Sequence, residues 1–175
     1  MPRTYKSGDL VTVAAVTVAA AATTIGGCVA FLGYQVAKRR RKFNTPQRID
    51  TPGVPLPHGH FSQAMTHRGK VYVSELHPFI LDAHNPYGTS LSNCSFGQQA
   101  QCLLSNLETL LVAAGSKVSK LLRLRVYISN LSNIDEFHKL LSKLCGDGPR
   151  PALCVVPLPE LRFGSAISLE AVAAL

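Results

Sequence analysis

The stretch FGQQAQCLLSNLETLLVAAGSKVSKLLRLRVYI at 96–128 decides the fold, because it holds the clearest helix and the clearest strand of the chain. Ser95 can cap a helix over residues 96–114, and Gly115 can end it. Four leucines recur at helical spacing and predict a face that packs on a core: Leu103, Leu107, Leu110 and Leu111. Residues 121–128 alternate in polarity, which predicts a strand.

The elements on either side complete an α+β arrangement. The strand at 121–128 should place one apolar set on a single face: Leu122, Leu124, Val126 and Ile128. Further elements follow from the same patterns: strands at 70–74, 153–156 and 167–173, and a second helix at 134–144 between Asn133 and Gly146. Residues 77–95, rich in Pro, Asn, Gly and Ser, predict a long irregular loop. The order β-α-β-α-β-β predicts one sheet with two helices packed on one face.

Composition and charge limit the function classes. The chain has 175 residues, 46% of them hydrophobic and 16% charged, which indicates a folded domain with an appendage. Residues 1–50 carry eight Lys and Arg against two Asp, or +6, so only +2 of the net charge of +8 is left for the domain. No nucleic-acid partner is therefore expected. Five cysteines without a CxxC pair predict reduced thiols, and neither a cofactor nor a metal site is predicted.

The N-terminal part contains no charged residue from Leu10 to Ala37. A run of this length predicts a transmembrane signal anchor at 10–37 behind a short tail at 1–9. The basic KRRRK at 38–42 would hold the following domain in the cytosol, with the mitochondrial outer membrane and the endoplasmic reticulum both open. A cleaved targeting peptide and a nuclear localisation signal remain alternatives. Residues 38–58 predict a basic flank with a proline-rich linker, which leaves 59–175 as the domain.

Five sequence motifs occur in order along the domain. They are GHFSQA at 59–64, GKVYVS at 69–74, SNLETLLVAAG at 105–115, PALCVVPLP at 151–159 and ISLEAVAAL at 167–175. Together they resemble the RidA family (also called YjgF or L-PSP), small domains that hydrolyse reactive enamines and imines. The resemblance covers about residues 58–175. It implies a chorismate-mutase-like sheet and a homotrimer whose small-metabolite clefts lie between subunits.

The resemblance also implies site residues. Phe61 keeps the ring of the family's tyrosine without its phenol, and Ser74 matches, whereas Glu75 replaces a glycine. Asn106 belongs to the matching helix pattern and joins the predicted ligand-binding set. Glu170 keeps a glutamate of the last strand, so the resemblance implies a catalytic role for it, that of positioning the hydrolytic water.

The departure with the largest chemical consequence is Leu153. The third residue of the family's Pro-Ala-x piece is an arginine that grips the substrate carboxylate with two charge-assisted hydrogen bonds. A carboxylate facing leucine would lose its hydration without a partner, which costs on the order of several kcal/mol. Cys154 lies one residue before the family's cysteine and completes the predicted ligand-binding residues. Other arginines could substitute for the missing one: Arg123, Arg125, Arg150 and Arg162.

Three functions follow from these residues, and whether the chain is an enzyme stays open. The first is a membrane-anchored member of the family that binds a small metabolite and lacks the standard 2-iminobutanoate/2-aminoacrylate deaminase activity. The alternative is an active enamine/imine deaminase, or a related hydrolase that releases ammonia, with water held by Glu170 and Ser74 or Asn106. The third is RNA binding or endoribonuclease-like cleavage.

Overall fold

A computed structural model of the chain describes residues 31–37 and 43–175. The chain divides into two compact units, 1–44 and 45–175. In the first unit, residues 31–37 are helical and largely exposed. The second unit contains every strand described below.

The prediction of one N-terminal transmembrane helix is wrong. No helix of the described ranges is both long enough and apolar enough to cross a membrane. A spanning helix needs about 20 residues, whereas the described part of the predicted segment, 31–37, supplies a single short stretch. Residues 10–30 of that segment and the basic cluster at 38–42 lie outside the described residues. The predicted α+β part of the fold fits the structure.

A six-stranded mixed sheet forms the scaffold of the second unit. Its strands are β1 (Gln47–Ile49), β2 (Ala64–His67), β3 (Lys70–Leu76), β6 (Leu121–Ile128), β7 (Ala152–Pro157) and β8 (Ile167–Ala174). They lie in the order β1-β2-β3-β8-β6-β7. All neighbours pair antiparallel except β6 and β7, which are parallel. Strand β7 therefore forms one edge, and β3 and β7 are separated by two strands.

The segment predicted as an irregular loop contains a hairpin instead. Strands β4 (Phe79–Asp82) and β5 (Asn85–Ser90) form a separate two-stranded sheet. Polar side chains hold this hairpin together: Thr89 Oγ1 donates to Asp82 Oδ2 at 2.7 Å, and Asn85 Nδ2 donates to the Gly88 carbonyl at 2.8 Å. The polar residues therefore form hydrogen bonds within a hairpin. Composition alone does not distinguish such a hairpin from an irregular loop.

Two helices accompany the sheet. Helix α1 (Phe96–Ala113) begins as predicted at Ser95, whose side chain and that of Gln98 each accept a hydrogen bond from the other's backbone amide. Helix α2 (Ile134–Cys145) ends at Gly146, also as predicted. Asn133 occupies the position before α2, but its side chain makes no capping hydrogen bond.

The core lies between α1 and one face of the sheet. The four predicted leucines of α1 are completely buried, together with sheet residues such as Val71, Leu124 and Leu169. Leu122 is an exception, because 46% of it is exposed while Leu121 is buried. An irregularity in the pairing of β6 with β8 between Leu121 and Arg123 shifts the alternation by one residue there.

Candidate functional site

A cleft opens where segment 54–63, the end of β3 and helix α1 meet. We call it the β3 cleft. Apolar side chains line one part of it, including Val54, Leu56 and Leu76. The polar and aromatic lining comprises His58, Phe61, Gln63, Ser74, Glu75, His77, Phe79 and Asn106. Such a mixture of apolar walls and a few polar groups is typical of small-molecule sites.

Gln63 fixes the wall of the β3 cleft. Its side chain is almost completely buried, with 3% of the residue exposed. Its Nε2 donates to the carbonyls of Val54 at 2.9 Å and Pro55 at 3.1 Å, and its Oε1 accepts from the Thr51 amide at 2.8 Å. A buried amide with all these partners holds an otherwise strandless segment in one conformation. Gln63 belongs to the GHFSQA piece, yet sequence reasoning gave it no role.

Three of the predicted ligand-binding residues meet in this cleft: Phe61, Ser74 and Asn106. Ser74 Oγ donates to the Ser62 carbonyl at 2.7 Å, and Asn106 Nδ2 donates to the Phe79 carbonyl at 2.9 Å. Both side chains therefore use a donor within the protein. Their oxygens remain able to accept hydrogen bonds from a ligand.

The carboxylate of the β3 cleft belongs to Glu75. Its Oε1 accepts a hydrogen bond of 2.7 Å from Ser168 Oγ, and its Oε2 lies 3.8 Å from His77 Nε2. Ser168 is completely buried, whereas 40% of the Glu75 side chain is exposed. A buried hydroxyl on a neighbouring strand thus orients a carboxylate that a ligand can reach. The sequence marked Glu75 only as the residue that replaces a glycine.

Two histidines of the β3 cleft are held in their neutral form. Burial lowers the pKa of His77, since it outweighs the opposite effect of Glu75, and Arg162 and His58 lower it further. Burial and Arg162 likewise lower the pKa of His58. His77 Nδ1 is buried without a hydrogen-bond partner among the described residues. The proton of neutral His77 is therefore best placed on Nε2, where it faces Glu75.

Aromatic rings surround these histidines. The His58 ring lies 4.5 Å from Phe79, 4.9 Å from Phe163 and 5.5 Å from Tyr87 between centroids. Phe163 also meets His77 edge-on at 5.0 Å. The backbone of Phe163 has φ of 62°, in the left-handed region, and such a conformation in a residue other than glycine costs on the order of 1–3 kcal/mol. The Arg162 guanidinium lies 4.8 Å above the Phe163 ring.

Glu170, the predicted catalytic residue, is not among the residues that line the β3 cleft. Its Oε1 accepts a hydrogen bond of 2.7 Å from Arg125 Nη1. The two side chains, with Tyr72, Arg123 and Val172, line a shallow depression of the sheet. Exposed pairs of this kind add little to stability. The structure thus places Glu170 in an ion pair, apart from Phe61 and Ser74.

Leu153 and Cys154 lie on edge strand β7. Leu153 pairs with Leu124 and packs against the core, and it lines a hollow between β7 and α2 that we call the β7 hollow. Arg150 and His138 line the same hollow. Cys154 pairs with Arg125 on the next strand. Three strand spacings separate β3 from β7, about 14 Å, so Leu153 and Ser74 do not share a site within one chain.

The cysteines and possible metal ligands add little chemistry. Cys94, Cys102, Cys145 and Cys154 are free. Burial raises the pKa of Cys102 to about 11, and its Sγ donates to the Phe79 carbonyl at 3.3 Å, so it is a packing thiol rather than a nucleophile. Among residues 31–37 and 43–175, no three His, Cys, Asp or Glu side chains are grouped as a metal site.

Comparison with known sequences identifies relatives of the domain. The family model described as Endoribonuclease L-PSP matches residues 52–175. A RutC family protein of Aquifex aeolicus is 26% identical over 73% of this chain and 98% of its own length. The mitochondrial protein mmf1 of Schizosaccharomyces pombe is 26% identical over 75% and 78%. A protein of Dermatophagoides farinae named 2-iminobutanoate/2-iminopropanoate deaminase is 24% identical over 73% and 96%.

Solved structures share the fold. The Rid family protein YyfA from Yersinia pestis has a TM-score of 0.68 at 24% identity, over 75% of this chain and 100% of that one. TdcF of E. coli, solved with bound serine, has a TM-score of 0.66 at 21% identity, over 74% and 98%. At these identities the likeness concerns the fold alone.

Proposed function

Because the chain belongs to the RidA (L-PSP) family, we propose that its domain binds a small metabolite and lacks the standard deaminase activity on 2-iminobutanoate and 2-aminoacrylate. The observation that carries this proposal is Leu153, which stands where the resemblance expects the carboxylate-binding arginine and packs against the core beside Leu124. A substrate carboxylate there would be desolvated without a partner.

The charge of the β3 cleft supports the same conclusion. Glu75 brings a carboxylate to the position where the resemblance expects glycine, and a second carboxylate from a substrate would be repelled. Arg150 lines the β7 hollow with Leu153, but it is an exposed residue. Its guanidinium is hydrated, so it grips an anion less firmly than a guanidinium held in a closed site.

Pyruvate formation from 2-aminoacrylate, generated in situ by a serine dehydratase, tests the proposal with the purified full chain. The named deaminase of Dermatophagoides farinae is the positive control. We expect a rate constant lower by ~10³-fold or more, the equivalent of several kcal/mol. A rate equal to that of the control would overturn the proposal. If that rate collapsed in Arg150→Ala, Arg150 would be identified as the substitute for the missing arginine.

A hydrolase acting on an imine without a carboxylate is the second candidate, and Glu75 favours it. A carboxylate in an apolar cleft can act as a general base and take a proton from a water molecule that attacks the imine carbon. Ammonia release from an enamine that lacks a carboxylate, compared between the wild type and Glu75→Gln, tests this candidate. An equal rate in both proteins would remove Glu75 from the reaction.

We propose a mitochondrial location for the chain. Its support is the relative of Schizosaccharomyces pombe, whose name places it in mitochondria and which covers 75% of this chain. The full chain with a fluorescent protein after Leu175 should overlap with a mitochondrial matrix or envelope marker. A diffuse signal outside mitochondria would contradict this location.

A further inference from the structure

We propose that the β3 cleft recognises the amino group of a small primary amine that carries no carboxylate, with Glu75 as the partner of the ammonium group. This inference rests on the proposed function, that the domain binds a small metabolite, and it names the class of that metabolite.

The first reason is that Glu75 lacks a cationic partner. Among the described residues, the group within 4.0 Å that could pair with it is His77, at 3.8 Å. Burial lowers the pKa of His77, so its neutral ring leaves the charge of the carboxylate uncancelled. Ser168 Oγ donates a hydrogen bond of 2.7 Å to the other oxygen. This hydrogen bond orients the anion and leaves its negative charge for a ligand.

The contrast with Glu170 shows that this arrangement is not forced on the chain. The Glu170 carboxylate has Arg125 Nη1 at 2.7 Å. The two glutamate side chains are equally exposed, 40% for Glu75 and 39% for Glu170, so exposure does not account for the difference. Glu75 lies in the β3 cleft without Lys or Arg among the lining residues, and the ammonium group of a ligand can take that place.

The walls of the β3 cleft suit an ammonium group and the carbon atoms attached to it. Phe61, His58 and Phe79 present aromatic rings to the cleft, and ring faces attract cations by about 0.5–2 kcal/mol. Val54, Leu56 and Leu76 line the cleft with aliphatic surface. Ser74 and Asn106 offer oxygens that accept hydrogen bonds, as N–H groups require.

The lining of the β3 cleft contains no Lys or Arg that would bind a carboxylate. Arg162 is not among these lining residues; it is exposed, and its guanidinium lies over the Phe163 ring. The ligand class therefore differs from an amino or imino acid by the loss of the carboxylate.

Three related probes separate the contribution of the amino group from that of the carboxylate. Serine carries an amino group and a carboxylate, 2-aminoethanol is serine without the carboxylate, and 3-hydroxypropanoate is serine without the amino group. Binding of each to the full chain is measured by ligand-observed NMR and isothermal titration calorimetry at pH 7.5. We expect 2-aminoethanol to bind at least ~10-fold more tightly than serine and 3-hydroxypropanoate not to bind, because Glu75 repels both carboxylates.

Variants assign the binding to Glu75. Glu75→Gln keeps the size of the side chain and an acceptor for Ser168, and it should weaken 2-aminoethanol binding by at least ~10-fold through the loss of the charge. Ser168→Ala should weaken binding by less, because the carboxylate remains. The matched control is Glu108→Gln, which removes an equal charge from the exposed side of α1. Unchanged amide NMR spectra outside the cleft would show that each variant is folded.

The outcomes distinguish this inference from the proposed function. If serine or 3-hydroxypropanoate bound as tightly as 2-aminoethanol, or if Glu75→Gln bound 2-aminoethanol like the wild type, the amine class would be overturned while metabolite binding stood. Failure of all three probes to bind would also overturn it. Deaminase activity on 2-aminoacrylate would overturn the proposed function by an independent measurement.

Discussion

Leu153 in the β7 hollow and Glu75 in the β3 cleft both disfavour a carboxylate ligand. Leu153 removes a positive charge where the resemblance expects one, and Glu75 adds a negative charge where it expects none. Each change alone weakens binding of a carboxylate, the first through lost hydrogen bonds and the second through repulsion. Their combination argues for a change of ligand class rather than the decay of a single residue.

Returning both positions to the charge that the resemblance expects should therefore raise activity on 2-aminoacrylate more than changing one position. We predict that Leu153→Arg alone gains little activity on 2-aminoacrylate, and that Leu153→Arg with Glu75→Gln gains at least ~10-fold over it. The specificity constant for pyruvate formation measures both. Leu153→Lys with Glu75→Gln is the control, since lysine restores the charge without the two parallel hydrogen bonds. Equal constants for the single and double variants would separate Glu75 from carboxylate exclusion.

The two histidines of the β3 cleft predict how stability depends on pH. Their pKa values are lowered from 6.5 in the folded chain, so the unfolded chain binds protons more readily. The contribution of the two neutral histidines to the free energy of unfolding is complete above pH 6.5. It is lost as the pH falls towards their lowered pKa values. The groups that face them are Glu75 and Arg162. Urea unfolding at pH 7.5 and pH 5.0 should show this loss, and His77→Asn should reduce it; an unaltered slope in that variant would contradict the assignment.

At the scale of elements, sequence pattern predicted what repeats regularly. The leucines of α1 share a face over several turns, so both the helix and its buried side were predictable, as were Leu124, Val126 and Ile128. Strict alternation through Val71 and Val73 would turn residue 75 towards the core. The pairing irregularity between Val73 and Leu76 instead buries Leu76 and exposes Glu75. Because of this single irregularity, the alternation of the sequence did not predict that the Glu75 carboxylate would lie in the cleft.

The candidate site was predictable only in part, for a related reason. Phe61, Ser74 and Asn106 line one cleft, and their role in ligand binding stays a prediction. His58 comes from the linker, His77 from the junction between β3 and β4, and Phe163 from the segment before β8, so their meeting depends on the folded chain. Likewise, no pattern along β8 reveals that Ser168 reaches Glu75 and that Glu170 reaches Arg125.

The hairpin of β4 and β5 depends on Gly88. Its φ is 78°, and an added Cβ would lie 2.5 Å from the Ile80 carbonyl oxygen and 2.8 Å from Pro55 Cγ. We predict that Gly88→Ala destabilises the chain by about 2–4 kcal/mol, from strain plus the clash. Gly115→Ala is the matched control, because φ is also 78° there but no atom lies within 4 Å of the added Cβ. It should cost about 1 kcal/mol, and equal losses in urea unfolding would refute the role of the clash.

At the scale of the whole molecule, one face of the sheet has no cover from the described chain. Helix α1 packs on the other face, while Tyr72 on this one is 43% exposed and lies in a depression with Arg123 and Val172. An exposed sheet face with aromatic and aliphatic side chains favours association. We therefore predict that this face lies at the subunit interface of the homotrimer that the resemblance implies.

Sedimentation of the full chain tests the trimer, with an expected mass of three copies of 18.8 kDa. Val172→Arg, which places a charge on the uncovered face beside Arg123 and Arg125, should shift the chain to monomers through repulsion and desolvation. Val112→Arg is the control, because Val112 is 64% exposed on α1, on the other side of the sheet. If the clefts are completed between subunits, the monomeric variant should also lose ligand binding. A Val172→Arg chain that remained trimeric would place the subunit interface elsewhere, and a monomeric variant that bound its ligand as before would confine the whole site to one subunit.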